Sequence, residues 1–361
     1  MKLIVQPENG VTPLINAIDG ARKSIEIAIF RFDRSDIKRA LERAVARGVS
    51  VHALIANTNR GEEKELRKLE TDFLPTGIEV SRTADDLLRY HYKFMIVDRT
   101  VLYLLTFNYT YLDVGSRSFG IISAKPALVQ AAASLFQADV KRQAYTPHLN
   151  NLIVSPINAR EELSRFISGA KKELLIYDPE ISDRRMIRLL RDCAKSGVEI
   201  RIIGRVSKPS SRIGAHGLTR MRFHTRTIIR DRRQAFLGSQ SLRELELDAR
   251  RELGLIVHHR DIVRSLVKVF ESDWAKLVPD SEQQATVPAD RRVKKVSKAV
   301  VRDLPLAPLV EGALERALRD IPGTQVSRNA FEHRLEDALR GAVEDAVSAT
   351  VRETVEAEAR T

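Results

Sequence analysis

The chain repeats itself once, and the repeat restricts its fold more than any other feature. Ala21 and Ala170 stand 149 residues apart, and so do Gly48 and Gly197. GVTPLINAIDGARKSIEIAIF (10–30) predicts a helix capped at Thr12, with Pro13 in its first turn, and then a strand. PINAREELSRFISGAKKELLIYD (156–178) predicts the same pair, with Asn158 and Glu161 in capping-box-like spacing. Each is followed by an amphipathic helix and a β-branched run, IKRALERAVARGVSVHALI and MIRLLRDCAKSGVEIRIIG. Helices alternating with strands, in duplicate, imply an α/β protein of two pseudo-symmetric halves, 1–148 and 149–278, with a cleft where they meet.

Composition narrows the function classes. A chain of 361 residues with 43% hydrophobic and 30% charged residues builds an ordinary globular core without disulfides or metal staples. The single cysteine, Cys193, occupies an apolar helical position and reads as a buried structural thiol. No Cys/His cluster has zinc spacing, so no metal site and no cofactor is expected. The apolar run of MKLIVQPENG is only three residues, short of a signal segment, and no stretch suits a membrane span; a cytoplasmic protein is expected. Net charge is +12. Residues 281–361 hold 13 Lys and Arg against 14 Asp and Glu, so the positive excess sits on residues 1–280. Such a field suits a polyanion, either nucleic acid or an acidic lipid surface.

Residues 279–361 read as a linker and a helical tail. The stretch 275–300 carries Pro279, Pro288 and the basic cluster RRVKK. Asn329 and Glu332 could cap a helix that aligns Phe331, Leu335, Leu339, Ala342 and Ala346 on one face. That face is expected either to dock on the body or to self-associate or meet a partner.

Two further segments share a polar pattern in strand-like surroundings, HYKFMIVDRTVLYLLTFNYT from His91 and HTRTIIRDRRQAFLGSQSL from His224. A cation follows each His by two (Lys93, Arg226) and an Asp by seven (Asp98, Asp231). A hydroxyl follows by fifteen (Thr106, Ser239) and a small polar residue by seventeen (Asn108, Ser241). A strand turns residues i and i+2 to one side, so each His and its cation face the same way.

This doubled H-x-K-x4-D-x6-G-S-x-N pattern resembles the phospholipase D superfamily, and the likeness covers roughly residues 1–275. The family includes phospholipases, phosphatidyltransferases such as cardiolipin synthases, and nucleases. The resemblance implies a metal-independent phosphodiesterase with a phosphohistidine intermediate. His91 would be the nucleophile, His224 the acid, and Lys93 and Arg226 the phosphate ligands. Ser239 and Asn108 would donate hydrogen bonds to the phosphate. Asp98 and Asp231 would support the site or begin turns. Glu252 resembles the family carboxylate that orients an imidazole, and is expected to favour the protonated form of His224.

The chain departs from the pattern at several positions. Arg226 stands for the usual Lys, Leu105 for Gly, Thr106 for Ser and Ser241 for Asn, and Ser118 or Phe119 for a first-half Glu. The expected substrate is an anionic phosphodiester, a phospholipid headgroup or nucleic acid, with peripheral membrane contact for the lipid. A degenerate module that binds without cleaving is the alternative. The segment Arg82–Tyr90 is expected at the cleft rim. Because both motifs end before the linker, residues 1–280 are expected to fold and retain turnover. A soluble, monodisperse truncation at residue 280 without activity would assign the tail a part in the site.

Overall fold

A computed structural model describes residues 1–57, 63–207, 215–218 and 221–277. The chain divides into two compact units, Met1–Pro279 and Asp280–Thr361. The second unit, with the expected tail helix and almost all of the expected linker, lies outside the described residues.

The first half contributes strands β1 (Lys2–Gln6), β2 (Ser24–Ile29), β3 (Ser50–Ile55), β4 (Glu79–Arg82), β5 (Arg89–Tyr90), β6 (Lys93–Val97), β7 (Val101–Leu105) and β8 (Ser118–Ser123). The second contributes β9 (Leu152–Val154), β10 (Glu173–Ile181), β11 (Glu199–Val206), β12 (Ala215–His216), β13 (Arg226–Arg230), β14 (Gln234–Gly238), β15 (Arg250–Arg251) and β16 (Leu253–Val257). Two seven-stranded sheets result, ordered β1-β8-β7-β6-β2-β3-β4 and β12-β11-β10-β13-β14-β16-β9. Read from opposite ends they are the same sheet, so the duplication is structural as well as sequential.

Central strands such as KFMIV (β6) are buried throughout, as expected where both faces of a sheet are covered. Helices Thr12–Gly20 and Ser35–Ala46 pack on each other in the first half, as Ala159–Ser168 and Arg184–Lys195 do in the second. Gly48 and Gly197, at φ +83° and +89°, make the left-handed turn after the second helix of each pair. Helix Pro126–Val140 packs on β2, β6 and β7, while its counterpart Arg260–Trp274 packs on β13, β14 and the first half's β1. One apolar core therefore runs through both halves, joining Phe136 to Tyr177, Leu266 and Phe270. Cys193 is buried in a second cluster with Ile167 and Leu190.

Two helix starts differ from expectation. Thr12 is the first helical residue, Val11 precedes it, and no side chain caps the end. Asn158 does precede its helix, but its side chain is used backwards. Its Oδ1 accepts from Val154 N at 2.7 Å and its Nδ2 donates to Leu152 O at 3.1 Å, so it pins β9 and makes no capping bond.

The repeated Asp has a structural post. Asp98 and Asp231 sit in left-handed turns at φ 53° and 52°. Asp98 Oδ1 accepts from the backbone N–H groups of Arg22, Lys23 and Ser24 at 3.1, 2.7 and 3.0 Å. Asp231 Oδ1 accepts from Lys171, Lys172 and Glu173 at 3.1, 2.7 and 3.0 Å. Each carboxylate thus ties the β6–β7 or β13–β14 turn to the start of the neighbouring strand. Burial pushes both carboxyls up, but the amide donors outweigh it and hold them below the usual range. Their contribution is therefore present above the unfolded pKa of about 3.9 and is lost as pH falls below it. Asp98→Ala and Asp231→Ala are each expected to cost about 1–3 kcal/mol, and the double variant close to the sum, in urea unfolding at pH 7.

Candidate active site

The two halves meet through backbone pairing beside each histidine. Strand β5 runs parallel to β15, with Arg89 opposite Arg250 and Tyr90 opposite Arg251. The expected rim segment Arg82–Tyr90 thus ends inside the junction of the halves. His91 N–H donates to Arg251 O at 2.7 Å. On the other side Arg117 bridges Phe223, and His224 N–H donates to Arg117 O at 2.8 Å. Each imidazole hangs from the backbone of the half to which it does not belong.

The side chains cross over as well. His91 Nδ1 is 2.9 Å from Glu252 Oε2, and its Nε2 is 2.9 Å from Lys93 Nζ. The donors around the ring set its tautomer: Nδ1–H faces the carboxylate, and the Nε2 lone pair accepts from Lys93. The edge of Phe30 packs against the ring at a centroid distance of 4.5 Å. Glu252 therefore serves His91 and not His224, which corrects the expectation above. His224 Nδ1 lies 3.0 Å from Asp113 Oδ2, within ion-pair distance but less well aligned than the His91 bond. Asp113 Oδ2 also accepts from Asn108 N at 3.0 Å and Nδ2 at 2.5 Å, and Oδ1 from Arg222 Nη1 at 2.7 Å.

Asp113 was not among the residues singled out by sequence. A signal existed, since Asp113 and Glu246 both follow their histidine by 22 residues. Glu246, however, does not pair with an imidazole. It accepts from Ser241 N at 2.6 Å and from Arg250 Nη1 at 3.2 Å.

Arg226 is buried at 8% exposure. Its Nε donates to Ser241 Oγ at 3.1 Å, and its Nη1 has no hydrogen-bond partner among the described residues. A buried guanidinium nitrogen left unmatched is costly unless an anion occupies it.

The remaining polar residues differ from their expected use. Thr106 Oγ1 donates to Phe119 O and accepts from Phe119 N, both at 2.9 Å. Ser239 Oγ donates to Leu253 O at 3.4 Å and accepts from Leu253 N at 3.1 Å. Both hydroxyls staple one strand to the next, while Asn108 Nδ2 gives one of its two hydrogens to Asp113. A cleft of about 280 Å³, lined by Phe30, Arg31, Phe32, Leu66 and Leu69 among others, adjoins His91 through Phe30 and His224 through Asp113.

Burial lowers His91 well below 6.5, and the charges of Lys93 and Arg226 add to that. Burial also lowers His224, to about 4, against the opposing pull of Asp113. Lys93 falls to about 7, through burial only partly offset by Glu252. At rest both imidazoles are therefore neutral near pH 7, which differs from the protonated His224 expected from sequence. An acid–base pair needs one proton between them, so binding an anion must bring one in. Above pH 4 the share of free protein holding that proton falls, and above 7 Lys93 loses its charge too. The expected outcome is a ratio kcat/KM that declines as pH rises from 5 to 8, and proton uptake in unbuffered calorimetry when vanadate binds at pH 6.

The duplicated α/β scaffold thus sets two crossed histidine–carboxylate pairs, His91 with Glu252 and His224 with Asp113, beside the buried Lys93 and Arg226. The chain belongs to the family described as cardiolipin synthase, PLD-like domain, whose model matches residues 14–140 and 163–274, one segment in each half. It is thus a member of the phospholipase D superfamily. A mitochondrial cardiolipin hydrolase of Mus musculus is 33% identical over 107 residues, 28% of this chain and 45% of that protein. The chain thus spans under half the length of that relative. Among solved structures, a phosphatidylserine synthase of Haemophilus influenzae matches with TM-score 0.59 at 12% identity, over 77% of this chain and 87% of that one. A polyphosphate kinase from Porphyromonas gingivalis matches with TM-score 0.62 at 20% identity, over 76% and 50% of the two chains. At such identities the likeness is one of fold.

Proposed function

We propose that the chain is a phosphodiesterase of phospholipase D type that hydrolyses or transfers the phosphatidyl group of phospholipids. The observation that carries this reading is the crossed pair, His91 with Glu252 and His224 with Asp113, closed around Lys93 and the unmatched Nη1 of Arg226. The family match and the mouse cardiolipin hydrolase supply the lipid class.

In this reading Nε2 of His91 attacks phosphorus while Glu252 holds the Nδ1 proton. The phosphorus–oxygen bond to the leaving alcohol breaks, and His224 gives that oxygen its proton. A phosphohistidine remains on His91. Neutral His224 then takes a proton from water or an acceptor alcohol, whose oxygen displaces His91 from phosphorus. Such proton transfer contributes roughly 10²–10⁴-fold. Lys93 and Arg226 stabilise the non-bridging oxygens, the part that Mg²⁺ takes in other phosphoryl-transfer sites. No cofactor enters the scheme. Among the described residues no helix is long and apolar enough to cross a membrane. In this reading lipid is met by peripheral contact of a cytoplasmic protein.

The positive excess on residues 1–280 favours one competitor, a nuclease acting through the same groups. Incubation with labelled phosphatidylcholine, phosphatidylglycerol, cardiolipin and single-stranded DNA, each with EDTA, separates the two. Release of a lipid headgroup supports the proposal, cleavage of DNA alone replaces it, and turnover that requires added metal defeats the mechanism. His91→Ala and His224→Ala should each abolish turnover, with the phosphoryl adduct mapping to His91 by mass spectrometry. Arg226→Ala should lower kcat/KM by an amount worth about 2–4 kcal/mol, as for loss of one oxyanion donor. Arg226→Lys should recover part of it, because the charge returns without the planar fork. An Arg226→Ala protein as active as the wild type would place Arg226 outside the catalytic machinery.

A further inference from the structure

The short helices Tyr111–Val114 and Glu244–Asp248 hold equivalent places in the two halves, 133 residues apart like the histidine motifs. Each begins with two exposed residues and continues with two buried ones: Tyr111 and Leu112 before Asp113 and Val114, Glu244 and Leu245 before Glu246 and Leu247. The third position turns into the site, where Asp113 meets His224 and Glu246 lies 3.9 Å from Arg226 Nε. The second turns a leucine to solvent, Leu112 at 61% and Leu245 at 45% exposure. Leu88, also exposed, donates its N–H to the carbonyl of Ala249, at the end of the second helix. Four of the six exposed large apolar side chains among the described residues thus stand on or beside these two helices. A lone exposed leucine is ordinary, but equivalent ones on both sides of one site are not scatter.

Arginines accompany the leucines. The half-exposed Arg222 bonds Asp113 and Ser116 on the first helix, and Arg243 precedes the second. Arg31 lines the cleft together with Leu112, and Arg34 lies over the Tyr111 ring at 4.1 Å. Glu244, standing where the first half has Tyr111, leaves the first-half side the more apolar. The reciprocal contacts of His91 with Arg251 and His224 with Arg117 mark a two-fold relation between the halves. Rotation about such an axis keeps height along it, so Leu112 and Leu245 rise to one level on either side of the junction. A flat surface crossing the axis meets both at once.

Resting on the phospholipid reading above, we infer that Tyr111, Leu112 and Leu245 seat the protein on an acidic bilayer surface, with the site between them. The apolar tips enter the headgroup layer, and the neighbouring arginines meet lipid phosphates while their stems cover apolar surface. A nucleic acid strand would use the charge but gain nothing from aliphatic tips.

The full chain is expected to cosediment with vesicles of phosphatidylcholine and phosphatidylglycerol, and much less with phosphatidylcholine alone. Leu112→Ser combined with Leu245→Ser should lower that partitioning by about tenfold or more, from the apolar burial lost at each tip. Unchanged partitioning, or a wild type that ignores acidic vesicles, overturns the inference. A dimer lost with the leucines in ultracentrifugation, while vesicle binding persists, assigns the face to a second copy and overturns it too. Leu245→Trp tests the same contact by a gained signal, because the chain has one tryptophan, Trp274. Lipid brominated on its acyl chains should quench the variant more than the wild type; equal quenching overturns the inference.

Turnover separates the two readings. Leu245→Ser should lower kcat/KM on acidic vesicles and leave it unchanged on dihexanoyl phosphatidylcholine below its micelle concentration; equal losses overturn the inference. A chain that binds acidic vesicles through these leucines but cleaves no lipid loses the phosphodiesterase reading and keeps the surface.

Discussion

Arg117 and Arg251 are the hinge pins on which the site depends. Each offers its backbone carbonyl to the amide of the histidine in the opposite half. Each also sends its guanidinium to a buried aspartate of the other half: Arg117 Nε to Asp273 Oδ2 at 2.7 Å, and Arg251 Nη2 to Asp139 Oδ1 at 3.2 Å. A tyrosine hydroxyl completes each pair, Tyr177 on Asp273 and Tyr92 on Asp139, both at 2.8 Å. Removing one member of such a buried pair typically costs about 3–5 kcal/mol, because its partner is left charged and unmatched. Here the same loss would also release the backbone on which an imidazole hangs, so stability and alignment share one set of contacts. Replacing a whole pair by apolar residues could spare stability, but it would give up the directional contact that fixes where the two sheets meet.

The two pairs differ in their surroundings. Asp273 takes a bifurcated contact from Arg117, whose Nη1 also donates to Gln6 O at 2.7 Å and to Glu8. Asp139 holds Arg251 through one nitrogen, and burial pushes its carboxyl up to about 6 against the opposing charge of Arg251. On the side of the junction that carries His91, the Asp139–Arg251 pair thus weakens on mild acidification. The difference matches a site whose halves have drifted apart in detail while the frame stayed symmetric.

The frame was legible because a repeat leaves two independent readings of one pattern. The helix–strand units at a spacing of 149 residues and the histidine motifs at 133 give the same sheet twice. The change of spacing falls where the first half carries the helix Glu63–Phe73 between β3 and β4. His91, Lys93, His224 and Arg226 were readable from their offsets, and the structure brings them to one site. What was not readable is which side chain faces which. Glu252 was assigned to its own half because sequence proximity says nothing of crossing over, and crossing is fixed by the parallel contact of Arg250–Arg251 with Arg89–Tyr90. Ser239 has phosphate-binding chemistry, yet a nearer partner uses it, since a buried hydroxyl takes the first acceptor that satisfies it. Asp98 and Asp231 resolve the other way, for their seven-residue spacing places them at the far end of the strand from the histidines, in the turn.

The site as built is set against itself, and an anion would resolve the conflict. Lys93 is 1% exposed and sits against His91, while Arg226 keeps a buried nitrogen unmatched. Glu252 is pushed upward by burial, with Lys93 pulling the other way. None of these groups is fully matched by its neighbours, because desolvation is incurred and only part of it is returned by pairing. A phosphodiester between them would supply acceptors for Lys93 and Arg226 together and would favour the imidazolium on His224. In the proposed reaction its binding energy would be spent on charging these groups, which is where it could speed the chemistry as well as hold the substrate.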